Sequence, residues 1–161
     1  MGDRDLPLPF TGPLHAFLAG AGPDSRGRLV TDVLDFSDER LEAVHDYIQW
    51  LFPLETRSGA QPGAPVLTQA EIQGIRADPR AADTLMKATE RMLQFYRNTG
   101  WWLTGYDHNH LRITRILHSL TLLVSPEAAQ SFHKTILAMH DAAGAPVNAR
   151  SLQYWAEAAG G

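Results

Sequence analysis

Two short stretches of this chain hold the residues whose types and spacing could do chemistry. The first is His45-Asp46-Tyr47-Ile48-Gln49-Trp50. On a helix, Val44, Tyr47, Ile48 and Leu51 share one stripe, and His45, Asp46, Gln49 and Trp50 fall on the flanking faces. Asp46 and Gln49 stand three apart and His45 and Gln49 four apart, so each pair can share a face. An imidazole, a carboxylate, an amide and an indole arranged in this way suit the polar rim and aromatic wall of a ligand pocket. The competing expectation is that they tie the helix to its neighbours by buried hydrogen bonds.

The second stretch begins at Asn109, which reads as the cap of a helix. Arg112, Arg115 and Ser119 then project from the side opposite Ile113, Ile116, Leu117 and Leu120. Two guanidiniums near a helix start, where free N–H groups already favour negative charge, suit a carboxylate or phosphate held bidentately. Alternatively, Arg112 and Arg115 pair with Glu42, Asp46 or Asp107 and fix two helices together.

For proton transfer, His45, Asp46, Tyr106 and His108 are the candidates, because imidazole titrates near neutrality and a carboxylate can orient it. His108-x-His110 invites a zinc ion shared with His45 or Asp46, but no His-Glu-x-x-His pair supports it, so no metal and no cofactor is expected. A nucleophile elbow, a phosphate loop and a dinucleotide glycine pattern are all missing. With no cysteine, disulfides, thiolate catalysis and cysteine zinc sites are excluded. The 14 basic and 18 acidic residues are dispersed and leave a net charge of −4, so there is no basic stripe for nucleic acid. Leu120–Val124, the longest apolar stretch, is broken by Thr121 and too short for a bilayer, and MGDRDLPLPF has no apolar core of a secretory signal. A cytoplasmic address follows as the expectation. Twelve of the 14 basic residues are Arg, and with the many alanines this suggests a GC-rich, bacterial source.

These groups need helices to position them. Residues 1–12 read as an extended tail, Pro13 opens a short helix, and residues 20–35 read as loop. Ser37 caps a helix running to Leu51, which Pro53 stops. Residues 54–66 form an exposed connector, and Thr68-x-x-Glu71 is a capping box. Asp78-Pro79 opens a long helix ended by Gly100, with Leu85, Met92, Leu93 and Tyr96 inward. Further helices follow from His110 to Val124, from Ser125-Pro126 to Gly144, and from Asn148 to Ala159. No segment alternates with period two, so the fold expected over 1–161 is all-α, a single compact bundle of six to seven helices.

Three blocks then carry a resemblance. HDYIQWLFP (45–53) resembles the signature of the opioid growth factor receptor conserved domain. Leu67-Thr68 with Glu71, followed by Met92-Leu93-Gln94-Phe95-Tyr96, and then His108-Asn109-His110-Leu111-Arg112-Ile113-Thr114-Arg115-Ile116-Leu117, are similar to its later blocks and stand in family order. Two positions depart from it: His110, where the family usually has Asn, and His118, where it often has Lys. Vertebrate members are described as receptors for the pentapeptide enkephalin. What the resemblance implies is binding of a peptide or small molecule, and with the bacterial source read from composition the expectation is a free-standing, bacterial-type domain. Combined with the residues above, the expected partner bears an anionic group, held by Arg112 and Arg115 and oriented by His45, Asp46, Gln49, Trp50 and Asn109, in a cleft between the 38–51 and 111–124 helices. The alternatives are a cofactor-independent biosynthetic enzyme using a His/Asp pair, and a protein-interaction module.

Overall fold

The computed structural model describes residues 10–160. Nine helices and no strand occur among them: α1 (Pro13–Leu18), α2 (Val30–Leu34), α3 (Asp38–Ala43), α4 (Ile48–Leu51), α5 (Gln69–Arg76), α6 (Pro79–Asn98), α7 (Asn109–Leu123), α8 (Pro126–Ala142) and α9 (Ala149–Ala158). The all-α class is as expected, with two more helices than the upper count. No helix among the described residues is long and apolar enough to cross a membrane. Of the expected extended tail, residues 1–9 lie outside the described residues, and 10–12 are not helical.

Most helix starts lie where side-chain chemistry puts them. Ser37, Thr68, Asp78, Ser125 and Asn148 each accept a hydrogen bond from a backbone N–H of the following turn. Proline occupies the first turn of α1, α6 and α8, where its missing N–H costs nothing. Asn109 departs from its expected capping role. The Asp107 carboxylate accepts the Asn109 N–H at 2.9 Å, and Asn109 itself is fully buried.

Helix α7 packs on α8 and α9, and α6 packs on α8 and on the N-terminal helices α1, α2 and α3. The shared core centres on Trp102, Trp155, Tyr47, Tyr96, Phe17, Phe52 and Phe132. Buried indoles find acceptors: Trp102 Nε1 donates to Tyr96 O at 2.9 Å and Trp155 Nε1 to His110 O at 3.0 Å. Of the Trp101-Trp102 pair, Trp102 is the core residue and Trp101 is exposed.

Two corrections concern the N-terminal half. Residues 20–35 contain α2, a helix too short to show periodicity, with Val30 and Val33 inward and Asp32 closing its first turn on the Leu29 N–H. The expected helix 38–51 is broken at 44–47. A continuous helix would satisfy the Leu41 and Val44 carbonyls internally. Instead, Leu41 O accepts from Tyr47 Oη and Arg112 Nη1, both at 2.7 Å, and Val44 O accepts from Arg112 Nη2 at 2.9 Å. The apolar stripe survives the break because Tyr47, Ile48 and Leu51 still turn inward. Periodicity alone could not reveal it.

The α1–α5–α6 corner shows how closely the helices approach. His15 Nε2 donates to Asp78 at 2.8 Å, and Nδ1 accepts the Thr11 N–H at 3.0 Å. A Cβ on Gly74 would sit 2.5 Å from Thr11 Oγ1 and 2.9 Å from His15 Nδ1. Gly74→Ala should therefore lower stability by about 2 kcal/mol despite its better helix propensity. Urea denaturation would check this, and an unchanged or higher midpoint would refute the tight approach.

Candidate functional site

The break between α3 and α4 brings the two chemical stretches face to face. Beside it lies a hollow of about 560 Å³, walled on one side by His45, Ile48 and Gln49 and on the other by His108, Leu111, Arg112 and Arg115. Arg57, Ser58, Gly59 and Ala60 of the connector close a third side. Among the described residues, no carboxylate lines it.

The two arginines divide into different roles. Arg112 is 6 % exposed, and both terminal nitrogens are engaged, Nη1 with Leu41 O and the Tyr47 hydroxyl (3.2 Å), Nη2 with Val44 O and, at 3.4 Å, His45 Nδ1. Its guanidinium also lies 5.4 Å from the Tyr47 ring centroid. The expected carboxylate partners for this side chain are replaced by backbone carbonyls. Burial pushes the Tyr47 phenol up to about 12 against the pull of Arg112, so it stays a neutral donor. Arg115 is less occupied. Its Nε donates to Phe52 O at 2.9 Å, and among the described residues no carboxylate lies within ion-pair distance. Burial draws its pKa down to about 10, which still leaves it charged at neutral pH. Ser119 completes the row by donating to Pro53 O at 2.9 Å.

Of the other expected ligand-binding residues, His45 and Gln49 line the hollow and three do not. Asp46 faces away, bound by Arg26 Nε and Arg28 Nη2, each at 2.9 Å. Burial opposes its charge, but these two arginines hold its carboxyl below the usual range. Trp50 packs edge-on to Phe17 at 5.4 Å in the core and is not the aromatic wall. Asn109 gives its amide to Glu42 Oε1 at 2.8 Å and Asp107 Oδ2 at 2.9 Å, outside the hollow. Gln49 is 3 % exposed, and its buried Oε1 has no hydrogen-bond partner among the described residues.

The acid–base candidates do not assemble as a set. His45 and His108 meet edge to face, ring centroids 5.3 Å apart, but Asp46 is turned to the arginines and Tyr106 is 84 % exposed on the far side of Leu111. Burial, then the nearby Arg112 and His108, lower the His45 pKa from its ordinary 6.5, so this imidazole is neutral at pH 7. His110 is turned into the core, where it donates to Trp102 O at 2.8 Å, and does not join His108 in a cluster of potential ligands among the described residues. Glu42, Asp107 and His108 do bring one ligand atom each within 4.8 Å of one another. The Asn109 amide already bridges both carboxylates there, which accounts for the cluster.

Sequence reasoning missed Ile48 and Leu111 as lining residues, together with the connector. Leu111, in the first turn of α7, is 68 % exposed, and its place off the Ile113–Ile116–Leu117–Leu120 stripe is the one sequence signal that could have marked it. Arg57 offered none, because a loop's path over the surface has no periodicity to read.

Comparison with known proteins gives a consistent direction. Residues 30–100 match the family model described as the opioid growth factor receptor (OGFr) conserved region. The opioid growth factor receptor of Mus musculus is 38 % identical over 115 residues, covering 58 % of this chain and 18 % of that protein. The Homo sapiens protein of the same name is 36 % identical over 115 residues, covering 58 % of this chain and 17 % of that protein. Opioid growth factor receptor-like protein 1 of Mus musculus is 37 % identical over 99 residues, covering 51 % of this chain and 21 % of that protein. The chain thus spans about a fifth of the length of the relatives it matches. They are vertebrate proteins and lend no support to the bacterial source suggested by composition. No solved structure matches the chain.

Proposed function

From the premise, supported by that match and those relatives, that the chain stands with the opioid growth factor receptor family, we propose that it is a ligand-binding helical domain whose hollow takes an anionic group on a small molecule or peptide. One observation carries the proposal. Among the described residues, Arg115 lines the hollow as a half-buried cation with one hydrogen bond, to a backbone carbonyl, and no acid in the lining. A guanidinium drawn out of water without a counter-ion is poorly compensated, and an incoming carboxylate offers two acceptors matched to its fork. Arg112 shapes the floor, since its terminal nitrogens are already spent on α3 and the break. Arg57, from the exposed connector, adds a further positive charge at the mouth, its Nη1 donating to Pro62 O at 2.9 Å.

A hydrolytic or proton-transfer role built on His45 and Asp46 is disfavoured, because the carboxylate that would orient the imidazole is held by Arg26 and Arg28.

The test uses 4-methylpentanoate, a simple apolar carboxylate, with calorimetry and NMR. Arg115→Gln keeps an N–H for Phe52 O but removes the charge, and should weaken binding at least about tenfold with the melting curve little changed. In the native chain, the His45 imidazole should titrate below 6.5, and bound carboxylate should move its midpoint upward, because negative charge favours imidazolium. Equal affinity in a folded Arg115→Gln chain, or no binding to the native one, removes the proposal.

A further inference from the structure

The Arg115 hollow does not end at Leu111. A second hollow shares His108 and Leu111 with it and is flanked by Tyr106 and Tyr154. Leu111 is 68 %, Tyr106 84 % and Tyr154 44 % exposed, so a ridge and two aromatic faces lie open on the side away from Arg112 and Arg115, in a lining that also holds Asp107 and Arg150. On the near side, the buried Gln49 oxygen lacks a donor, a state that proteins rarely leave uncompensated. A ligand fitting all three features presents a carboxylate to Arg115, an N–H to Gln49 and an apolar chain across Leu111.

Resting on the anion-binding reading above, we propose that the site recognises an N-acylated amino acid, the acyl group running over Leu111 into the Tyr106–Tyr154 hollow. A free amino acid fits poorly, because its ammonium would enter a hollow lined by Arg57, Arg112 and Arg115 and, among the described residues, by no acid. An amide N–H is the neutral donor that sits beside a carboxylate and also carries a chain onward. A plain fatty or aryl acid satisfies Arg115 and leaves Gln49 orphaned. The same chemistry occurs at a peptide's free C-terminus and in a fatty-acyl amino acid.

Calorimetry on the native 161-residue chain compares octanoylglycine with octanoyloxyacetate, in which an ester oxygen replaces the N–H. The amide should bind about tenfold tighter, the worth of one well-made buried hydrogen bond. Gln49→Met, close in volume, should shrink that ratio towards one, and the native-chain comparison stands even if this variant fails to fold. Acetylglycine should bind more weakly than octanoylglycine, and Tyr106→Ser with Tyr154→Ser, both at exposed positions, should erase that difference. A short peptide with a free C-terminus, set against its amidated form, tells the sources apart. Tighter binding of the acid than of octanoylglycine assigns the site to peptide ends, and the reverse order assigns it to acyl amino acids. Amide and ester binding equally, both still dependent on Arg115, overturns this inference and leaves the anion site standing. Failure of every carboxylate, 4-methylpentanoate included, removes both.

Discussion

Arg112→Ala is expected to destabilise the protein by about 3–4 kcal/mol, lowering its melting temperature by roughly 10 °C in a chain of this length. Among the described residues, the guanidinium is the sole side-chain donor to the Val44 carbonyl and one of two to Leu41. An orphaned buried carbonyl costs about 1–3 kcal/mol, and the space left beside Tyr47 adds a cavity cost. Set against a total stability of about 5–15 kcal/mol, that is a large share. Arg112→Lys should recover less than half, because one ammonium cannot reproduce the diverging bonds to two carbonyls of a broken helix. Urea denaturation with unchanged slope would check both variants. A loss below about 1 kcal/mol in Arg112→Ala would mean the side chain serves the hollow and not the fold.

The second large effect is expected at Glu71, which is 2 % exposed and serves two helix starts at once. Its Oε2 accepts the Leu14 N–H of α1 at 2.9 Å, and its Oε1 accepts the Thr68 N–H before α5 at 3.2 Å. Each bond answers an N–H that its helix cannot satisfy, and both helix N-termini favour a negative charge. Glu71→Ala should cost about 3 kcal/mol, and hydrogen exchange at the Leu14 and Thr68 amides should accelerate ahead of the rest of the chain. Glu71→Gln should cost less, as one oxygen remains to accept. If Leu14 exchange stays slow in Glu71→Ala, the carboxylate is not what anchors α1.

Residue by residue, local signals were readable where the physics is local. Ser37, Thr68 with Glu71, Asp78, Ser125 and Asn148 cap helices as their types and positions require, because a side-chain oxygen reaches an N–H two or three residues on whatever the rest of the molecule does. The apolar stripes of α6, α7 and α8 followed from spacing alone, but on α7 Arg112 and Ser119, on the opposite side, are buried as well. Asp46, Trp50 and Asn109 were misplaced for a common reason. Each is polar or amphipathic, and the partner that claimed it (Arg26 and Arg28, Phe17, or Glu42) lies on another element.

The chain's own pattern of caps and apolar repeats therefore determined an all-α protein and which faces of its long helices turn inward. Only tertiary structure decided that the 38–51 helix breaks, that Arg112 spends its guanidinium on the break while Arg115 lines the hollow with no carboxylate partner among the described residues, and that the connector closes the hollow's third side. The difference is one of range. A cap or an amphipathic stripe is a balance struck within one turn or one helix. Whether a carbonyl goes to its own helix or to an arginine some seventy positions away is a competition settled when the two elements meet.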